Sequence, residues 1–277
     1  MELFLKILRI SFWILLAAGL STVFAFVQKQ EDDLLCSQVN ISILRDPLQE
    51  NYFVNEGAIR ELIAQRFGQV ENTSLKNIDV NYLEHLMYAN PWVARAEVYL
   101  SINGVVDIEI EQRQPILRII NVNGENYYMD SRGRLMRWSP DFTPRALIAS
   151  GNIKEKYEEW NKIPVSELIN NDTLKTRTML DDLYMMAKFI LADEFWSAHV
   201  EQLYVNMLGE IELVPKVGNH TILFGGSDEI AEKFWKLKTF YKEGLNYTGW
   251  DNYDTLNLKF NNQVVCSKAV MKSAYKK

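Results

Sequence analysis

From Ile10 to Val27 the chain runs through eighteen residues without a charge, and more than two hundred polar, foldable residues follow. A helix of that length, at ~1.5 Å per residue, reaches about 27 Å, close to the hydrocarbon thickness of a bilayer. The run therefore predicts a membrane helix over residues 10–27. Lys6 and Arg9 precede it while Glu31, Asp32 and Asp33 follow, so the positive-inside rule keeps residues 1–9 as a short cytoplasmic tail and exports the rest. Phe26, Val27 and Gln28 stand where a cleavage site wants small residues, so the segment reads as an anchor rather than a signal peptide. Leu34 and Leu35 before Cys36 argue likewise against lipidation. Within the run Ala17, Ser21 and Ala25 recur every fourth residue, which puts three small side chains on one helix face where a second helix could pack.

Roughly 245 residues follow the anchor, enough for one large or two small domains with cores of their own. The composition is globular, 48% hydrophobic and 24% charged, and a net charge of -6 argues against nucleic-acid binding, which needs a basic field. Two cysteines, Cys36 and Cys266, are too few for a disulfide-built scaffold, although export would permit a bridge. The end of the chain, Ser267 to Lys277, carries four lysines and no acid, and residues 269–277 read as a solvated basic tail.

Val39, Ile41 and Ile43 alternate in a first strand. Asn55 can cap a helix through Ala58, Ile59, Leu62, Ile63 and Phe67, with Gly68 near its end. A second helix spans Val80 to Ala89 and stops at Asn90-Pro91. Strands at Val93 to Ile102 and Val105 to Glu111 flank Asn103-Gly104, a hairpin signal. In the second of these Val106, Ile108 and Ile110 face one way and a mainly acidic set faces the other. Strand, helix, helix, strand, strand makes a compact α+β module ending near Gln112 to Pro115.

Beyond it Ile116 to Val122, Tyr127 to Met129 and Leu135 to Trp138 predict an antiparallel meander. A helix follows from about Leu174 to Ala192, then strands at Val200 to Asn206, Glu210 to Val214 and His220 to Phe224. Ser227 is a candidate cap for a helix running to about Glu243. Thr255 to Phe260 and Gln263 to Cys266 close the pattern, hinged at Asn261-Asn262.

The residues that could carry chemistry do not converge. His85, His199 and His220 have no partner at metal spacing, and the Asp181-Asp182 and Glu158-Glu159 pairs diverge around a helix axis. Gly225-Gly226 reads as a turn into a helix, and Ser273-Ala274-Tyr275-Lys276 matches a Ser-x-x-Lys motif by letters only. Six tryptophans, Trp92, Trp138, Trp160, Trp196, Trp235 and Trp250, could line a glycan groove, but most fall on apolar faces and read as packing. No enzyme, cofactor or metal site is expected.

The order of a short tail, one membrane helix, a strand-helix-helix-strand-strand module and a larger β-rich domain resembles the bacterial cell-division family FtsQ/DivIB over nearly the whole chain. The residues that carry the resemblance are Asn90-Pro91-Trp92-Val93, Gln112-Arg113-Gln114-Pro115-Ile116, Tyr128-Met129-Asp130 with Gly133, and the closing segment Tyr253 to Cys266. Gly209-Glu210-Ile211-Glu212-Leu213 and Asn262-Gln263-Val264-Val265-Cys266 look like the version found in Bacteroidetes. Arg137-Trp138 after Met136 departs from the Pro-Leu common in relatives, as does the very short cytoplasmic tail.

The resemblance implies a POTRA domain over 37–112 and a β domain over 113–268. It also implies a non-enzymatic scaffold in the inner membrane, a single-pass protein with its bulk in the periplasm at the division site. The partners it implies are the bitopic proteins FtsB and FtsL and other division components, with no small-molecule substrate and no nucleic acid. In such proteins the last strands capture the partner, and the matching positions are Leu258, Phe260, Asn262, Val264 and Cys266. Independently, a final strand has a neighbour on one side only, and its other side can take an incoming strand. A POTRA-bearing transport factor would need repeated modules, and a membrane-anchored envelope enzyme would need a polar pocket.

Overall fold

The computed structural model describes residue 9 and residues 11–23, 34–44, 53–139, 143–169 and 178–268. The chain divides into two compact units, residues 1–112 and 113–277. Residues 11–23 are helical and exposed. Among the described residues no helix is long and apolar enough to cross a membrane, so the span expected over 10–27 is not shown. Ile10 and residues 24–27 lie outside the described residues, as do residues 1–8 and the tail 269–277.

The first unit contains β1 (Gln38–Leu44), α1 (Glu56–Arg66), α2 (Val80–Tyr88), β2 (Val93–Leu100) and β3 (Val105–Gln112). The side chain of Asn55 accepts from the Ala58 amide at 2.7 Å and starts α1; Asp79 does the same for α2 through the Tyr82 amide at 2.9 Å. Gly68, at φ 96°, ends the first helix by donating to the Ile63 carbonyl at 3.0 Å. The sheet order is β1-β3-β2, with β1 parallel and β2 antiparallel to β3. Val106, Ile108 and Ile110 are buried against Ile59, Ile63, Leu83 and Met87 of the helices. Asp107, Glu109 and Glu111 of β3 point the other way, as a strand covered on one face requires.

The hairpin is wider than Asn103-Gly104 predicts. Ser101 donates to Val105 O at 2.8 Å and Gly104 to Ser101 O at 3.0 Å, with Gly104 at φ 85° and Asn103 in an ordinary conformation. This is a three-residue loop closed by a left-handed glycine, so β2 ends at Leu100 and Ile102 sits at the tip.

The second unit begins with the meander β4 (Pro115–Ile120), β5 (Asn126–Asp130) and β6 (Leu135–Arg137), then β7 (Leu147–Gly151). Helices α3 (Tyr157–Trp160), α4 (Val165–Ile169), α5 (Leu180–Ala192) and α6 (Glu194–His199) lead to β8 (Val200–Val205), β9 (Ile211–Pro215) and β10 (Thr221–Gly225). Helix α7 (Ile230–Thr239) runs on through a π turn at Phe240–Leu245 before β11 (Tyr253–Asn257) and β12 (Val265–Lys268). All nine strands form one sheet in the order β12-β11-β10-β9-β8-β7-β4-β5-β6.

The sheet is mixed, which corrects the antiparallel expectation. β4 pairs β7, β7 pairs β8, and β10 pairs β11 in parallel. Parallel neighbours need a crossover, and the helices supply two: α3 to α6 between β7 and β8, and α7 between β10 and β11. Their apolar sides, including Leu183, Ala187, Ile190, Trp196, Phe234 and Leu237, pack in one core with Leu117, Ala149, Leu203, Leu213 and Phe224.

One smaller expectation also changes. Ser227 does not cap α7: its hydroxyl donates to Asp182, and Glu229, in a left-handed conformation, occupies the cap position. The part of the long helix expected at 174–177 lies outside the described residues. Cys36 is buried in the first unit's core, Cys266 is half-buried in the second, and both thiols are free.

Candidate functional site

The two sheets have four edge strands, and three of them carry side chains on or beside their outer rim. In β1 the Arg60 guanidinium donates to Val39 O at 2.9 Å. In β2 the Val98 amide donates to the Glu84 carboxylate at 3.1 Å. β6 is only three residues long, and its Arg137 pairs with Glu158 of α3 at 2.7 Å and lies over the Tyr157 ring. Side chains set on an edge, and the three-residue length of β6, hinder unwanted strand pairing. β12 differs: it pairs with β11 on one side, and among the described residues no strand pairs with the other.

The local sequence explains how that edge is held. Asn257 ends β11, because its side chain accepts from the Lys259 amide at 3.0 Å and turns the chain. Leu258 keeps its amide on β10 through Leu223 O at 3.0 Å and is fully buried. Asn262, at φ 56°, makes the reversal that brings the chain back as β12, in register Leu256 to Cys266 and Asn257 to Val265. Phe260 and Val265 are left 46% and 42% exposed, enough for each to present apolar surface beside the open rim.

The five positions expected to meet a partner thus lie in one hairpin but not in one role. Leu258 is core, Phe260 and Asn262 are in the exposed connection, and Val264 is half-buried just before β12. Cys266 alone is on the last strand, with its thiol pushed up by burial. Of the residues expected to pack in a membrane helix, Ala17 and Ser21 lie on the helical residues 11–23, where the Ser21 hydroxyl donates to Ala17 O at 2.8 Å. Ala25 lies outside the described residues.

What the sequence reading missed is the support from α7. Lys236, buried, donates its ammonium to Leu258 O at 3.1 Å and Phe260 O at 2.8 Å, and so fixes the connection leading to β12. One turn earlier Lys233, also buried, donates to Gly226 O and to Asp228, both at 3.0 Å, and lowers that carboxyl below its ordinary range by the hydrogen bond. On the outside Lys259 holds Glu210 at 2.9 Å. The available signal was two lysines three apart beside Phe234 and Leu237, on a helix face otherwise destined for the core.

Elsewhere the titratable groups are dispersed. Among the described residues no group of His, Cys, Asp and Glu could hold a metal ion. The groove between α1 and α2 is lined by Leu62, Tyr82, Leu86, Pro91 and Trp92, with Arg66 at its side, and brings no nucleophile to a base. Of the tryptophans, Trp196 is core, while Trp138 and Trp235 are exposed singly.

His220 is buried, with Nε2 2.8 Å from Tyr241 Oη and Nδ1 without a partner, and burial holds it below the ordinary imidazole range. Above its unfolded value of about 6.5 both states are neutral; below it the unfolded chain takes a proton that the folded chain refuses. Stability therefore falls as pH drops through about 6.5, by up to ~1.4 kcal/mol per unit, until the folded value is reached. Denaturant unfolding between pH 7.5 and 5 should show this slope and lose it in His220→Gln; equal slopes would refute the assignment.

Comparison with known proteins finds a POTRA-like domain over residues 34–111 and the family described as FtsQ/DivIB, C-terminal related, over residues 114–267. No curated protein matches the chain. FtsQ/DivIB is a family of non-enzymatic division proteins, and at that level these domains point to a scaffold role in cell division. Because the second match covers more than half of the sequence, and the first fills most of the remainder, the chain belongs to the FtsQ/DivIB C-terminal related family.

Proposed function

We propose that this chain is a membrane-anchored scaffold of the division-site complex whose terminal strand captures FtsB/FtsL-type bitopic proteins and so links early and late components to septal peptidoglycan synthesis. The apolar run 10–27 is the anchor, with Lys6 and Arg9 on the cytoplasmic side and the two folded units in the periplasm. The observation that carries the capture reading is the outer rim of β12, which no strand among the described residues pairs, set against three edges that side chains block or flank.

An incoming strand would take up the outward N–H and C=O groups of β12 and extend the sheet from nine strands to ten. Main-chain pairing supplies affinity with little sequence demand; Phe260 and Val265 supply apolar contact beside it. The rim is hydrogen-bonded into a nine-stranded sheet, and Lys236 presets the connection, so little ordering is required of the scaffold when the partner arrives.

Phe260→Ala tests this directly. The ring is half exposed and outside the core, so its loss should leave folding within about 1 kcal/mol of the natural chain. Capture of an FtsB/FtsL-type partner, measured by calorimetry with the detergent-solubilised full chain, should weaken about five- to ten-fold. Unchanged affinity would place the contact elsewhere.

A further inference from the structure

The hairpin tip of the first unit carries apolar surface that the capture of a partner strand does not use. Ile102, at the apex between β2 and β3, is 96% exposed, and Leu35 is 53% exposed. They belong to the same end of the sheet. Ser37 donates to Gly104 O at 2.8 Å, and a Cβ on Gly104 would lie 2.7 Å from Leu35 O. Leu75 donates to Leu34 O at 3.0 Å, which brings the exposed Lys76 to this end as well. A single exposed isoleucine needs no explanation, but turn apices favour polar residues, and here two apolar side chains and a cation share one tip.

The tip is also where the chain enters the unit. Only six residues, Gln28 to Asp33, separate the end of the apolar run from Leu34, a reach of about 25 Å at full extension. If the run is the anchor, that tether holds the tip beside the bilayer at high effective concentration, so a small apolar contact suffices. The geometry points to the lipid surface as its occupant: Ile102 and Leu35 enter the interfacial layer and Lys76 stays at headgroup level, fixing the orientation of the first unit on the membrane. Glu31, Asp32 and Asp33 in the tether disfavour an anionic surface, so the contact is with zwitterionic lipid. This inference rests on the anchor reading given above.

The test uses the full chain in phosphatidylcholine vesicles, with Cys266→Ser and with Cys36 left buried. An environment-sensitive thiol probe is placed singly by Asn103→Cys at the tip, Leu20→Cys in the apolar run, or Met207→Cys in the exposed turn between β8 and β9. Lipids carrying a shallow nitroxide should quench the tip probe several-fold more than the probe at 207, and Ile102→Asp should return it to the level at 207. A tip probe no more quenched than 207, or quenching indifferent to Ile102→Asp, overturns the docking, while a probe at 20 quenched by lipids carrying a mid-chain nitroxide keeps the anchor. A probe at 20 that the mid-chain nitroxide leaves unquenched removes the anchor and this inference with it. Tip shielding from an aqueous quencher without lipid quenching identifies a protein contact instead and also overturns it.

Discussion

Proline at one of two adjacent positions in β12, Cys266 or Ser267, should weaken partner capture about ten- to a hundred-fold while the second unit stays folded. Successive residues of an antiparallel edge strand aim their main-chain groups alternately at the neighbour and away from it. One of the two therefore faces β11 and the other faces the proposed partner. Proline at the outward residue removes a donor and sets a ring on the rim, without touching the β11 ladder. At the inward residue it removes a ladder bond, and stability should fall by about 1 kcal/mol as well. Cys266→Ala and Ser267→Ala keep the backbone and should change capture little. Two folded proline variants that both bind normally would exclude strand addition. Val264→Pro is not diagnostic, because Val264 precedes the strand.

Lys236→Met should cost the second unit about 1–3 kcal/mol and weaken capture beyond what that loss explains. Methionine keeps the length of the stem and removes the ammonium, leaving Leu258 O and Phe260 O without their donor. Relief of the buried charge offsets part of the cost, which is why the estimate stays near a single unsatisfied group rather than two. Lys233→Met is the control: it loses the bonds to Gly226 and Asp228 at the end of β10, and should destabilise without affecting capture. Equal effects of the two variants on capture would show that Lys236 supports the fold and nothing more.

Elements with one face in water show their period in the sequence, and elements enclosed on both sides do not. β3 alternates Val106, Ile108 and Ile110 with acids because one face is covered and one is not, so its period was plain. α1 announced itself through Asn55 and Gly68, both of which act as read. β7 left no trace: Leu147–Gly151 lies between β4 and β8 and has too few residues to show a period. Its Gly151, at φ 101°, has meaning only in the fold, where a Cβ would come 2.2 Å from Val205 O. Without β7 the crossover through α3 to α6 was invisible, and the expected helix at α7 did not by itself reveal that β10 and β11 run parallel, so a mixed sheet read as an antiparallel one.

At the candidate site the hairpin was legible and its details were not. Leu256, Leu258 and Phe260 alternate as if in one strand, but the Asn257 turn ends β11 first, and only the first two are buried. The last strand accordingly begins at Val265, two residues after the expected start at Gln263. The Lys236 support joins residues 22 and 24 positions apart, a contact made by the crossover of α7 rather than by any local pattern.

The most direct test of capture at the open rim is hydrogen exchange on the full chain with and without the proposed FtsB/FtsL-type partner. Strand addition predicts that the outward amides of Val265–Lys268 become protected on binding, in alternation with amides already slowed by β11, while the rims of β1, β2 and β6 are unchanged. Protection confined to the first unit, or binding with no change at Val265–Lys268, would contradict it.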